Sequence, residues 1–351
     1  MTLADLSNGL PAEKETVVPT QPTEPFWAEN LLFAPYDPKC DIGMWLHLGT
    51  VPTDWSFWED RILISLPGDE GVLVMWGYYR SVGDARPGGP NLHFKLVEPF
   101  KRWKVTFDGF ALPFSKESMT GGALAVASGR HRRLVIDLDI ECKSPAWDAQ
   151  SSAHSDEGKG DMTTQGWAKE HYEQVYTAKG VVHVDQKTYP FDGMGWRDHS
   201  RGPRGSGKGA PWGGHMIVGG LWPSGRSAVF SSYWAPDGTI TLEGAVLTDA
   251  NGAATSAEVL DPPRLRELVY NGEVLKTTLK HAGGEARLTL TCDKSIWTAM
   301  TKHALGVDMS GNGLHYILNW GRCEWEGEIG HFYMERSDPL SLPPITLKPA
   351  R

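Results

Sequence analysis

The chain has 351 residues and a formal net charge of −9. This length corresponds to about two domains, or one large β domain, and suffices for a core that needs neither disulfides nor metals. Apolar residues make up 40% and charged residues 22% of the chain, which excludes disorder over most of its length. The acidic balance disfavours nucleic acid as a partner and also disfavours docking on anionic membranes.

Glycine and large aromatic residues are both abundant, with 40 Gly, 15 Trp, 10 Tyr and 11 Phe. This combination is typical of all-β proteins, in which turns are frequent and large side chains fill barrels or sandwiches. The tryptophans are either ordinary core residues or the walls of a pocket for a flat, apolar ligand. The composition leaves both interpretations open.

Cysteine spacing and the N-terminal sequence bear on localisation. The four cysteines lie far apart, and no Cys/His set has zinc spacing, so we expect free thiols in a reducing compartment and no metal. Residues 1–18 contain neither the basic region nor the apolar segment of a signal peptide. No run approaches 18 apolar residues, so we expect a cytoplasmic protein without stable membrane insertion.

Short strand-like segments follow a polar, Pro-rich stretch at residues 1–24, which is predicted to be a flexible arm. The segment 134–142 alternates most clearly, with Leu, Ile, Leu, Ile and Cys on one face. Residues 144–168 are polar and are predicted to form a long loop, which in a compact domain is usually functional or mobile. The strand spacing predicts an all-β chain of antiparallel barrels or sandwiches.

We divide the chain into two β domains, residues 25–190 and 191–345, with a junction at roughly 185–212. The sequence GSGKG at 205–209 lies in this junction. It lacks the spacing of a phosphate-binding loop and the Ser or Thr after the Lys. We therefore expect neither a nucleotide nor another cofactor.

The segment GWRDHSRGPR at 195–204 concentrates an acid, an imidazole and three guanidinium groups. In an extended strand, alternate side chains face opposite sides: Trp196, Asp198 and Ser200 on one, and Arg197, His199 and Arg201 on the other. Burial beside a Trp would raise the pKa of the Asp198 carboxyl, and the arginines would lower it. The segment is either a proton-transfer site or an ion-pair network that holds the domain junction.

The run from Glu170 to Arg204 resembles the signature of the lipocalin-like carotenoid hydratase (hydroxyneurosporene synthase) superfamily, which includes kievitone hydratase-like proteins and lipocalin-like Diels-Alderases. The matching features are the sequence HYEQ at 171–174, a strand–turn–strand, and the pattern G-x-R-D-H-S-x-G-x-R at 195–204. The resemblance implies two lipocalin-like β-barrels in tandem. Many members have Trp where this chain has Arg201, and the change indicates a more polar or anionic substrate.

The resemblance also implies a reaction and its residues. The reaction would be cofactor-independent acid–base chemistry of a hydratase, dehydratase or cyclase on a hydrophobic, alkene-containing isoprenoid or aromatic molecule. Asp198 would transfer the proton, His199 would orient it or relay a proton, and Tyr172 would stabilise positive charge through its ring. The candidates for substrate binding are Trp196, His171, Glu173, Arg197 and Arg204. The two arginines are also candidates for ion pairs that hold the segment.

Two other functions remain open. A lipocalin-like carrier would bind a hydrophobic small molecule without converting it, and a carbohydrate-binding β-sandwich would use exposed tryptophans. An enzyme is favoured over a carrier if Asp198 and His199 point into a cavity rather than into the domain interface. We expect a hydrophobic small molecule as the partner and no nucleic acid, and the sequence is compatible with a homodimer.

Overall fold

The computed structural model describes residues 5–80, 87–114, 129–204, 212–267, 269–300 and 314–339. These residues form nineteen strands, one short helix α1 (Ala149–Ala153) and two 3-10 turns (Ala12–Glu15 and Met162–Thr164). In chain order the strands are β1 (Trp27–Asp37), β2 (Ile42–Val51), β3 (Asp54–Ser65), β4 (Val72–Arg80), β5 (Leu92–Glu98), β6 (Arg102–Phe114), β7 (Arg132–Cys142), β8 (Trp147–Asp148), β9 (Lys159–Gly160), β10 (Glu170–Val184), β11 (Lys187–Pro203), β12 (Gly214–Leu221), β13 (Ser227–Trp234), β14 (Ile240–Thr248), β15 (Ala254–Val259), β16 (Glu273–His281), β17 (Gly284–Met300), β18 (Leu314–Trp325) and β19 (Glu328–Pro339).

Two antiparallel sheets contain all of these strands, and each sheet closes on itself. The first runs β11-β1-β2-β3-β4-β6-β7-β10, and pairing of β10 with β11 closes a ring of eight strands. The second runs β13-β12-β19-β18-β17-β16-β15-β14 and closes through pairing of β13 with β14. Closure removes unpaired sheet edges. The prediction of two tandem, lipocalin-like antiparallel β domains is confirmed.

The interiors of both barrels are filled by side chains. In β1, Leu31 and Phe33 point into the first barrel, whereas Leu32 and Ala34 belong to an apolar cluster between the barrels. The second barrel has its own core, which includes Met216 and Phe332. An eight-stranded barrel is just wide enough for its side chains to fill it. The space for a ligand therefore has to be sought between the barrels.

The change from the first sheet to the second falls between Pro203 and Gly214. The whole of β11 therefore belongs to the first barrel, although we assigned the residues after 190 to the second domain. The Gly-rich sequence at 205–209, part of the predicted junction at 205–211 and the end of the second domain at 340–345 lie outside the described residues.

Two segments that we predicted as an arm and a loop are parts of the folded structure. Residues 5–24 pack against the first barrel, and Glu15 in this segment is buried. Residues 144–168 contain α1 and two short strands, of which β8 pairs with β10 and β9 pairs with β14. The second segment therefore connects the barrels beside their interface. Within the described ranges, no helix is long and apolar enough to cross a membrane.

Aromatic stacking and close backbone approach hold the two barrels together. Trp196 on β11 stacks on Tyr333 on β19 with a ring separation of 5.3 Å. A Cβ atom on Gly219 would lie 2.2 Å from Trp196 Cδ1, so only glycine allows this approach. Trp45 Nε1 of the first barrel donates a hydrogen bond to Glu335 Oε2 of the second at 3.3 Å.

Lys294 of the second barrel makes a polar contact with the β3–β4 turn and Asp41 of the first. Its buried Nζ donates to the carbonyl oxygens of Leu66 at 3.0 Å and Gly68 at 3.2 Å, and lies 2.6 Å from Asp41 Oδ2. This side chain therefore satisfies backbone acceptors across the interface.

Lys294→Met is predicted to lower the free energy of unfolding by about 1–3 kcal/mol, because it leaves buried acceptors without a donor. Denaturant unfolding monitored by tryptophan fluorescence measures this loss. Lys276→Met, at an exposed position on β16, is the control for the same change of charge. Equal stabilities of the two variants would contradict the assigned role of Lys294.

Candidate active site between the two barrels

A cavity of about 200 Å³ lies between the barrels. Its walls come from both: β1–β4, β10 and β11 of the first barrel, and β12, β13, β18 and β19 of the second. Tyr78 is 49% exposed and marks the solvent side, whereas Asp198 and His171 lie at the inner wall. A cavity of ~150 Å³ holds benzene. This one therefore accommodates a single substituted ring or a part of a longer molecule.

Strand alternation places Asp198 in the cavity. On β11, Asp198 lies between Leu32 of β1 and Glu173 of β10. Directly opposed residues of an antiparallel pair share a face, so the side chains of Asp198 and Glu173 lie on the side that faces the second barrel. Ser200 and its partner His171 follow on the same side.

Burial raises the pKa of the Asp198 carboxyl to about 7. His171 and Arg204 oppose this rise, and the charges of Glu335 and Glu173 add to it. Asp198 Oδ1 is buried and has no hydrogen-bond partner among the described residues. The side chain as a whole is 15% accessible, and the residue lines the cavity. This carboxyl can therefore exchange a proton near neutral pH with a molecule in the cavity.

A chain of polar contacts lies behind Asp198. Trp196 Nε1 donates to Glu173 Oε2 at 2.7 Å, and Glu173 Oε1 lies 2.7 Å from His171 Nε2. His171 Nδ1 is 3.7 Å from Asp198 Oδ2, which is too long for a hydrogen bond. Burial raises the pKa of Glu173 well above its usual value and lowers that of His171. A protonated Glu173 beside a neutral His171 fits these directions.

The second barrel contributes Glu335, which accepts hydrogen bonds from side chains of both barrels. The donors are Tyr333 Oη at 2.6 Å, His215 Nε2 at 3.0 Å, Trp45 Nε1 at 3.3 Å and the hydroxyl of Tyr316. Burial would raise the pKa of Glu335, but His215 and the two tyrosines lower it below its usual value. Glu335 is therefore a buried carboxylate with its acceptor positions occupied.

Aromatic rings form the wall opposite Asp198. Trp167 stacks on Tyr233 with a ring separation of 4.9 Å, and Trp212 meets Tyr233 edge-on at 5.5 Å. His215 stacks on Tyr233 at 5.4 Å. The rings pack on one another and give this part of the cavity an aromatic wall.

The other face of β11 carries a separate, closely paired cluster beneath the N-terminal segment. His199 Nε2 lies 2.9 Å from Glu29 Oε1, and its Nδ1 contacts the hydroxyl of Tyr172. Arg197 Nη2 donates to both oxygens of Glu15 at 2.9 Å. Three of the predicted site residues lie on this face, and none of them lines the cavity between the barrels: Tyr172, Arg197 and His199.

Three of the eight predicted site residues therefore meet at the cavity: Asp198, His171 and Arg204. Trp196 and Glu173 lie behind His171, and Tyr172, His199 and Arg197 face away. The proposed relay from His199 to Asp198 and the proposed ring contact of Tyr172 do not fit this geometry. Sequence analysis missed His215, Tyr233, Tyr316 and Glu335. All four lie outside residues 170–204, the segment in which the motif is found.

Metal binding has no support from the side-chain geometry. Over the described ranges, no group of three or more His, Cys, Asp or Glu side chains could hold a metal ion. The cysteines in these ranges are free thiols.

The two filled β-barrels with a cavity between them define the class of the protein as an all-β, lipocalin-like tandem-barrel fold. The family model of a domain of unknown function (DUF7064) matches residues 11–339. The chain belongs to this family. No curated protein matches it.

Several solved structures are similar to the chain. An AttH-like protein from Nitrosomonas europaea has 11% identity and a TM-score of 0.54, with 89% of this chain and 92% of that chain covered. Kievitone hydratase from Nectria haematococca has 8% identity and a TM-score of 0.47, with 89% of each chain covered. CghA has 11% identity and a TM-score of 0.48, with 97% and 94% covered. Kievitone hydratase is one of the proteins that the motif resemblance names. At 11% identity, the likeness to the AttH-like protein concerns the fold alone.

Arg197→Met is predicted to destabilise the protein by about 3–5 kcal/mol, because it leaves the Glu15 carboxylate buried without its cation. Burial would raise the pKa of Glu15, but Arg197 lowers it below its ordinary value of 4.5. The pair therefore stabilises the fold above about pH 4.5, and the stabilisation is lost as pH falls through the lowered pKa.

Denaturant unfolding of wild type and Arg197→Met at several pH values tests this ion pair. The difference in stability should be full at pH 6–7 and should shrink below about pH 4.5. A difference that does not change with pH would mean that the Glu15 charge is not its origin.

Proposed function

We propose that the protein is a cofactor-independent lyase or isomerase that protonates a carbon–carbon double bond of a small, largely apolar molecule. The observation that carries the proposal is the Asp198 carboxyl, which lines the cavity between the barrels, has a pKa of about 7 and has one buried oxygen without a described partner. Perturbed carboxyls in cavities are frequent proton-transfer groups. His171 lies close enough to exchange a proton with Asp198 after a small movement.

The reaction begins with protonated Asp198. Transfer of its proton to one alkene carbon forms a C–H bond with the π electrons and leaves a carbocation at the other carbon. In a hydratase, water then adds to the cation and releases a proton to the Asp198 carboxylate. In an isomerase, a neighbouring C–H gives its proton to the same carboxylate. Trp167 and Tyr233 line the cavity and form an aromatic, weakly hydrated wall near the cation.

The size of the cavity favours an aromatic substrate over a long isoprenoid. About 200 Å³ is below the ~300–1,000 Å³ of pockets that enclose drug-sized ligands. A longer molecule would extend past Tyr78 into solvent. The carrier hypothesis explains the apolar walls but not a partly unpaired acid, because a buried polar group without a partner costs stability.

Asp198→Asn should lower the incorporation of deuterium from solvent into a substrate by about 10²–10⁴-fold, the usual contribution of an acid–base group. Styrene- and cinnamyl-type alkenes incubated with the protein in D₂O form the test panel, and mass spectrometry measures incorporation at carbon. Asp192→Asn, at an exposed position on the same strand, is the matched control and should retain the wild-type rate. Binding of the alkenes without any exchange would support a carrier instead.

The pH dependence identifies the active form of Asp198. As a general acid it must be protonated, so kcat/KM for exchange should be constant below about pH 7 and fall above it. Stopped assays from pH 5 to 9 measure this profile. The inflection should be absent from the residual activity of Asp198→Asn. A rate that rises above pH 7 would make Asp198 a base.

A further inference from the structure

Arg204 is a buried cation that forms no ion pair with any of the described residues. Its side chain follows the last residue of β11 and lines the cavity, and the residue is 7% exposed. The Nη2 amino group donates to Ser200 Oγ at 2.9 Å. When the Asn30 amide is oriented with its oxygen toward the guanidinium, that oxygen also accepts from Nη2, at 2.7 Å. Nε has no hydrogen-bond partner among the described residues.

The other charged groups of the cavity are already paired or close to neutral. Glu59 pairs with Arg61. Glu335 accepts from four donors. No ion pair within 4 Å joins Arg204 to a described carboxylate, and burial lowers the pKa of Arg204 to about 10, against the opposing charges of Asp198 and Glu29. Arg204 therefore remains a cation at neutral pH, in an environment where an unpaired charge is costly.

We propose that Arg204 binds the anionic group of the ligand, so that the substrate is an organic anion, such as a carboxylate, on a small aromatic or alkenyl body. That the bound molecule is a substrate rests on the proposed function, whereas the anion site itself requires only that the molecule binds. A guanidinium binds carboxylates through two parallel hydrogen bonds. Arg204 lines the cavity, and its buried Nε is a donor that no described residue uses. The aromatic wall of Trp167 and Tyr233 accommodates the body.

Arg201, which stands where many members of the superfamily have Trp, does not form this anion site. Arg201 faces away from the cavity and pairs with Glu170, with Nε 2.8 Å from Oε2. The expectation of a more polar or anionic substrate, which the sequence analysis based on Arg201, therefore rests here on Arg204 instead.

An anion at Arg204 also affects Asp198. The charged and titratable groups that face Asp198 are His171, Glu173, Arg204 and Glu335. An added negative charge beside them disfavours ionisation of Asp198. Anion binding and protonation of Asp198 are therefore linked, and affinity for the anion should decrease as pH rises through about 7.

Matched pairs of acids and amides test the anion site in the wild-type protein. Benzoate, phenylacetate and cinnamate are titrated by calorimetry beside benzamide, phenylacetamide and cinnamamide, which have the same shape without the charge. At pH 6 the best-binding carboxylate should exceed its amide by about 10- to 100-fold in affinity, as expected for hydrogen bonds to a charged group. Equal affinities, or no saturable binding of any member at millimolar concentration, would overturn the proposal.

Arg204→Met should abolish the preference for the carboxylate, whereas Arg287→Met, at an exposed position on β17 with the same loss of charge, should retain it. Inorganic phosphate is a third probe. If phosphate bound as tightly as the carboxylates through Arg204, the organic part of the proposal would be wrong. If Arg204→Met does not fold, the acid–amide comparison in wild type still decides the question.

Asp198→Asn separates this proposal from the proposed function. The variant should still prefer the carboxylate, because Asn resembles a neutral Asp, but its affinity should no longer decrease above pH 7. If Asp198→Asn retains the preference for carboxylates and the wild-type protein shows no deuterium exchange, the anion site is supported and the proposed enzymatic function is contradicted. Deuterium exchange by the wild-type protein without any preference for carboxylates would support the proposed enzymatic function and contradict the anion site.

Discussion

The alternation of side chains along β11 is the constraint on which the rest of the molecule depends. One strand closes the first barrel and at the same time presents a surface to the second, so its successive residues enter different environments. His199 contacts Glu29 beneath the N-terminal segment. Asp198, one residue earlier, faces the cavity. A shift of register by one residue would exchange these two sets of side chains.

Filling of the barrels determines where chemistry can take place. Each eight-stranded ring has an apolar core of its own, and the cavity that contains Asp198 lies between the two rings. The interface combines Trp196 stacked on Tyr333 with an approach that Gly219 permits, and the remaining gap is lined with polar groups from both barrels. The cavity thus results from imperfect complementarity between two well-packed units. Its residues come from distant parts of the sequence, such as Asp198 and Glu335.

Local patterns predicted much of this arrangement. Period-2 alternation indicated the strands, and within residues 195–204 it placed Trp196 and Asp198 on one face and Arg197 and His199 on the other, as the structure has them. The sequence could not indicate which parts of the folded protein each face of this strand contacts. Tyr172 and His199 are 27 residues apart and become neighbours only through the β10–β11 register. Glu335 reaches the cavity only because the second barrel packs against the first, and no local sequence pattern encodes that packing.

The two faces of β11 also differ in how completely their charges are paired, and this difference separates structural from functional groups. On the N-terminal side, Arg197 and Glu15 satisfy each other, and the arrangement is complete without any ligand.

On the cavity side no protonation state satisfies every group. Ionised Asp198 would offset the charge of Arg204, but it would add a buried negative charge near Glu335. Neutral Asp198 avoids that repulsion and leaves Arg204 without a counter-ion among the described residues. The proposed anion would balance Arg204 beside a neutral Asp198, so the charges on this face depend on a ligand in a way that the Arg197–Glu15 pair does not.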